Sequence, residues 1–109
     1  MVLDFPSAFL LTNLLEMPVA WAFLRKAEAA GHVFLVVLLC NILTMPLLWF
    51  AFPALLRLPY IQLLAVSEAF VFGAEIALYI AAFRKAGWPR AMGAAFAANL
   101  MTLLASLVL

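Results

Sequence analysis

From Val33 to Leu56 the chain carries no charged side chain at all. A run of that length exceeds the roughly 20 apolar residues that cross the hydrocarbon core of a bilayer as a helix. Helices, or closed barrels, are what satisfy backbone polar groups in lipid. Three further stretches share the pattern: 5–24, broken only by Thr12, Asn13 and Glu16; 61–83, with Glu68 and Glu75; and 91–109. Between them lie the polar segment Arg25–His32, the turn Arg57-Leu58-Pro59-Tyr60, and the loop Arg84–Arg90 with Gly87 and Pro89 as punctuation. The pattern predicts an all-α transmembrane four-helix bundle with spans at about 5–24, 33–56, 61–83 and 91–109. Of 109 residues, 71% are hydrophobic and 10% charged, far from the balance of a soluble domain. The spans consume the chain, so 1–109 reads as a single integral membrane domain.

Charge sets the expected orientation. Arg25, Lys26, Arg84, Lys85 and Arg90 fall in the two loops on one side, against only Arg57 on the other. The positive-inside rule makes loops 25–32 and 84–90 cytoplasmic and puts both termini outside, in a multi-pass protein of a bacterial-type inner membrane. The first span lacks the basic start of a signal peptide and carries Asp4, so it is expected in the mature protein. A net charge of +1 implies no attraction to nucleic acid.

The third span concentrates the unusual features. Glu68 and Glu75 stand seven residues apart, close to two helical turns, which places them and Tyr79 on one stripe. About a quarter-turn away, Ala69, Gly73, Ala77 and Ala81 form a small-every-four ridge of the kind that lets another helix approach closely in lipid. An internal echo links the first two spans. Leu11–Trp21 and Leu39–Trp49 agree at six of eleven positions, including Asn13 with Asn41 and Pro18 with Pro46. An inverted-topology repeat and chance similarity between Leu-rich helices both remain open.

Each span carries a polar stripe that has to face inward in lipid: Asn13 and Glu16; Asn41 and Thr44; Glu68, Glu75 and Tyr79; Asn99, Thr102 and Ser106. At a rise of roughly 1.5 Å per residue, Glu16, Asn41, Thr44, Glu75 and Asn99 fall within about 5 Å of mid-membrane. Glu68 falls nearer the outer side. No Lys, Arg or His lies within a span to neutralise the acids. Three options follow: the carboxyls are mostly protonated, they hold a cation, or a partner subunit supplies the positive charge. The asparagines and hydroxyls read as interhelical glue supporting the cluster. Glu16 and Glu75, and with them Glu68, read as ion- or proton-binding, because Gln would bridge helices equally well without risk of ionisation. Pro18 and Pro46 read as tolerated kinks near these groups.

Cys40, the one cysteine, excludes an internal disulfide and a multi-cysteine metal site and reads as a small buried hydrophobe. His32 reads as interfacial, and Trp21, Trp49 and Trp88 as an aromatic belt. No nucleotide loop, nucleophile triad or metalloprotease motif is present, so no enzyme and no cofactor are expected, although a bound lipid, pigment or cation is compatible with the pattern.

Glu16-Met17-Pro18, Asn41-Ile42-Leu43-Thr44-Met45-Pro46, the Glu68/Glu75 pair and Asn99-Leu100-Met101-Thr102 together resemble small bacterial four-span integral membrane proteins. Size and a glutamate in the first span are also similar to the small multidrug resistance transporters, a resemblance that implies a proton-coupled dimer. The third-helix glycine and tryptophan pattern of that family is missing here, and the lopsided basic loops argue against dual topology. Two functions are therefore expected. One is an accessory or structural subunit of a larger inner-membrane complex, bound to lipid and to other membrane subunits through the small-residue ridge. The other is a proton- or cation-coupled transporter or channel, working as a homo-oligomer, with Glu16 and Glu75 titrating.

Overall fold

The computed structural model of the protein describes residues 4–108, with side chains as far as Ala105. The side chain of Ser106, part of the polar stripe expected for the fourth span, lies outside that description. The described chain is helical with no strand: α1 (Phe5–Leu24), α2 (Ala30–Pro46), a π-helical turn (Leu47–Ala51), α3 (Phe52–Leu55), α4 (Tyr60–Ala82) and α5 (Trp88–Val108). α2, the π-turn and α3 run on without a break, making four long helical segments. Three of these, Phe5–Leu24, Ala30–Leu55 and Tyr60–Ala82, are long and apolar enough to cross a membrane. The longest dimension, 42 Å, matches the roughly 40–45 Å of a bilayer with its headgroups.

Local chemistry explains the helix starts. The Asp4 side chain accepts from the Ser7 amide at 2.9 Å, with Pro6 in the first turn of α1. That hydrogen bond holds the exposed Asp4 carboxyl below its ordinary value. Pro59 precedes α4, and Pro89 lies in the first turn of α5. Both polar loops are shorter than the sequence pattern suggests. Gly31 and His32 already belong to α2, and Trp88, Pro89 and Arg90 to α5, leaving 25–29 and 83–87 as the connections. Pro89 was read as a loop breaker; a proline lacking its amide hydrogen is equally suited to a helix start, where that hydrogen would have no partner. Pro46 ends regular α2. The Leu47 amide bonds Thr44 O, and the Phe52 amide reaches back to Leu47 O, the widened pitch of a π-turn. Gly87 adopts φ 85°, which turns the chain from α4 into α5.

Around the bundle the order is α2, α1, α5, α4, with the closest packing between α1 and α5 and a looser seam between α2 and α4. The core divides into two halves. Toward loops 25–29 and 83–87, Leu24, Val33, Val37, Tyr79, Phe83 and the alanines of α5 are fully buried and close-packed. Toward the opposite end, marked by Phe5 against Trp49 and Phe50, the helices enclose a cavity. Large apolar side chains, including Leu10, Leu14, Leu35, Ile42, Phe70 and Phe96, are exposed on all four long segments, as a lipid-covered surface requires.

The ridge of α4 is not a packing surface within the chain. Ala69, Gly73, Ala77 and Ala81 are all exposed, and a Cβ added at Gly73 would meet nothing within 4 Å. Close helix approach comes instead from α5, where Ala91, Ala94, Ala95 and Ala98 are fully buried. α4 turns its larger inward face, from Val71 to Tyr79, to the core, which leaves its small residues outside.

Candidate functional site

All four long segments contribute to a partly open cavity of about 350 Å³ in the half of the molecule that holds the termini. Seven of the residues singled out in the sequence line it together: Glu16 from α1, Asn41 and Thr44 from α2, Glu68 and Glu75 from α4, and Asn99 and Thr102 from α5. The apolar part of the wall includes Leu11, Leu15, Leu48, Trp49 and Val71. Among the described residues no Lys, Arg or His lines it.

Glu16 and Glu75 are each only 1% exposed. Thr102 Oγ1 donates to Glu16 Oε2 at 2.8 Å, while Glu16 Oε1 is buried without a hydrogen-bond partner. Asn99 Nδ2 donates to Glu75 Oε2 at 2.7 Å and to Ala95 O at 2.9 Å, so both amide hydrogens are used. Thr44 Oγ1 lies 3.3 Å from Glu75 Oε1 and 2.9 Å from Cys40 O. Asn41 Nδ2 donates to Asn13 Oδ1 at 2.9 Å, and Asn13 Nδ2 to Phe9 O. Asn13 and Asn41 are equivalent positions of the internal echo, so its two copies meet at this bond. Asn13 is buried beside the cavity and does not line it.

Glu68 and Tyr79 depart from the expected stripe in opposite ways. Glu68 lines the cavity but is only half-buried. Tyr79 is fully buried beyond the cavity floor, edge-on to Phe83, with no hydrogen-bond partner for its hydroxyl. The buried line of α4 is Ser67, Val71, Glu75 and Tyr79, spaced by four. Ser67, 2% exposed with an unpartnered Oγ, was not singled out, and neither was Thr12, which is buried on the cavity wall. Their spacing carried the signal: Thr12 precedes Glu16 by four residues, and Ser67 precedes Glu75 by eight.

A second polar cluster ties the two basic loops together at the far end. Glu28, 8% exposed, accepts the Ala86 amide at 3.0 Å. His32 Nε2 lies 2.9 Å from Ala82 O and 3.9 Å from Glu28 Oε1. A carbonyl oxygen can only accept, so Nε2 carries the hydrogen and caps the end of α4. His32, expected at the interface, therefore ties the start of α2 to the end of α4.

Among the described residues no group of three His, Cys, Asp or Glu side chains converges in a way that could hold a metal ion. The three carboxylates share a cavity without forming a ligand cage. Chemically, the arrangement offers one oxygen-lined chamber with free acceptor capacity at Glu16 and neutral donors around both buried acids. No family model, curated protein or solved structure matches the chain. Fold and site together define an all-α protein with three helices fit to cross a membrane and a carboxylate-lined chamber among them.

Proposed function

We propose that the protein is a small carrier or channel for protons, or for a cation coupled to them, with the Glu16–Glu75 chamber as its binding site. The observation that carries this reading is a pair of carboxyls, each 1% exposed, on a cavity that no cationic side chain faces. An ionisable residue at that depth is expensive in lipid and marks ion and proton pathways in membrane proteins. In this reading α5 is a fourth crossing: its alanine face is buried against neighbours, so it needs less apolar surface than a lipid-exposed span. Both termini then lie outside a bacterial-type inner membrane and the basic loops in the cytoplasm. In this reading the partly open chamber is entered from the half that holds the termini, and the packed layer of Leu24, Val37, Tyr79 and Phe83 lies between it and the basic loops, so passage requires that layer to part. Four helices enclose a narrow path, and a homo-oligomer supplies the remaining wall.

The test is proton uptake into proteoliposomes after a pH jump. Wild-type protein supports flux above empty liposomes, and Glu16→Gln removes it. Equal flux in wild-type and Glu16→Gln vesicles would sink the reading.

One observation favours a second function, that of an accessory subunit in a larger membrane complex. The Ala69–Gly73–Ala77–Ala81 ridge is exposed along α4, unpacked by any helix of the chain, and small-residue ridges suit helix contacts in lipid. Native mass spectrometry of gently solubilised protein from its own membrane separates the two. A constant heteromeric mass supports the subunit reading, and a homo-oligomer supports the carrier.

A further inference from the structure

The two buried carboxyls have different hydrogen-bond surroundings, and the difference has a consequence for which of them exchanges protons. Thr44 has one hydroxyl hydrogen and two oxygens within reach, Cys40 O at 2.9 Å and Glu75 Oε1 at 3.3 Å. The carbonyl can only accept, and it is the nearer, so the Thr44 hydrogen goes there. Thr44 then presents a lone pair to Glu75 Oε1. Two lone pairs face each other at that contact unless Glu75 supplies the hydrogen. The other oxygen, Oε2, accepts from Asn99 at 2.7 Å. A protonated Glu75 satisfies every partner around it: Oε1–H donates to Thr44, and Oε2 accepts from Asn99.

Glu16 is the opposite case. Thr102 also has a single hydrogen and two oxygens to choose from, Glu16 Oε2 at 2.8 Å and Ala98 O at 3.3 Å, and here the carboxyl is the nearer. Glu16 therefore receives a donor at Oε2, and its Oε1 is buried with no partner on a cavity wall. The titratable groups near it are Cys40 from α2 and Glu68, Glu75 and Tyr79 from α4, while α5 contributes only the neutral Asn99 and Thr102. None of them can bring a positive charge to Glu16.

We propose that Glu75 holds a resident proton and positions the cluster, and that Glu16 alone exchanges one proton with the cavity through Oε1. The step is simple to balance. Glu16 carboxylate takes a proton from cavity water to become the neutral acid and returns it in the reverse direction, with Glu75 unchanged. A proton fits better than a metal ion, because among the described residues no three acidic, thiol or imidazole groups converge to coordinate one. This inference rests on the carrier reading and deepens it, by assigning one exchanging group where that reading has two.

Infrared absorption spectroscopy of the protein in liposomes, taken across a pH titration, tests the assignment. The wild type is expected to show two protonated-carboxyl bands from the buried pair. One persists across the titration and is lost in Glu75→Gln; the other comes and goes with pH and is lost in Glu16→Gln. The remaining titration midpoint in Glu75→Gln stays within about one unit of wild type. Thr44→Val removes the acceptor while keeping both acids, so the persistent band shifts in frequency and the titrating band does not. Two bands titrating together, or loss of the titrating band in Glu75→Gln with retention in Glu16→Gln, would overturn the assignment, as would sodium or potassium displacing the Glu16 band at constant pH. If the bands divide as expected but wild-type liposomes show no flux, the carrier reading fails and the assignment stands. If flux is present but the bands titrate together, the reverse holds.

Discussion

Thr102 Oγ1 donates to Glu16 Oε2 at 2.8 Å, joining α5 to α1 across 86 positions of sequence. The bond closes α5 against α1 at the cavity wall. Thr102→Val keeps the shape and removes the donor. Interhelical hydrogen bonds in membranes are worth about 0.6 kcal/mol on average and up to about 1.7. The variant is expected to lose an amount in that range in a detergent unfolding titration, with the unfolding slope unchanged.

The Asn13–Asn41 bond offers a cleaner energy, because both partners can be removed. A double-mutant cycle with Asn13→Ala and Asn41→Ala is expected to return a coupling of about 0.6 kcal/mol. A coupling of zero would mean that the two copies of the internal echo touch without stabilising the pair of helices.

Two glycines make contrasting predictions. Gly87 holds φ 85° between α4 and α5, so Gly87→Ala forces a side chain into the left-handed region at a cost of about 1–2 kcal/mol. Gly73 has open space around its missing Cβ, and Gly73→Ala is expected to cost the monomer nothing. Thermal unfolding of both variants in detergent checks the pair. A loss at Gly73 that appears only in native membranes would point to a neighbour on the exposed ridge.

Asp4 gives a pH dependence at the helix start. Its folded value is depressed by the Ser7 amide, so its contribution is present above the ordinary carboxyl value and disappears as pH falls through the depressed one. The Ser7 amide resonance should move over that acidic range in an NMR titration, and Asp4→Ala should abolish the movement.

At the opposite end, the Glu28 and His32 clasp holds the two basic loops together. Glu28→Ala leaves the Ala86 amide without its acceptor, so hydrogen exchange at Ala86 should accelerate while exchange within α4 stays slow. Unchanged protection at Ala86 would mean that the loop is held by backbone packing alone.

Much of this architecture is legible in sequence because lipid punishes exceptions. Charge-free runs set the helical segments, and the spacing of Glu68 and Glu75 anticipates that both reach one cavity. Three details were hidden for physical reasons. The inward face of α4 follows Ser67, Val71, Glu75 and Tyr79, because the helix is packed along that line and opens onto a cavity at Glu68. The small residues of α4 form a ridge on paper, yet nothing in a single chain says whether an intramolecular helix will use it. The Glu28–His32 clasp joins residues to backbone groups 50 and 58 positions away, a relation that no local pattern encodes.

The central claim is a carboxylate-lined chamber reached from the end that holds the termini and sealed from the basic loops. Cysteine accessibility in oriented membrane vesicles tests it most directly, in a Cys40→Ala background. Leu15→Cys stands on the cavity wall, and Val37→Cys lies in the packed layer with no exposed surface. A membrane-impermeant thiol reagent is expected to label position 15 from the side of the termini only, and to leave position 37 unlabelled from either side. Labelling of position 15 from the side of the basic loops, or of position 37 from there, would contradict the claim.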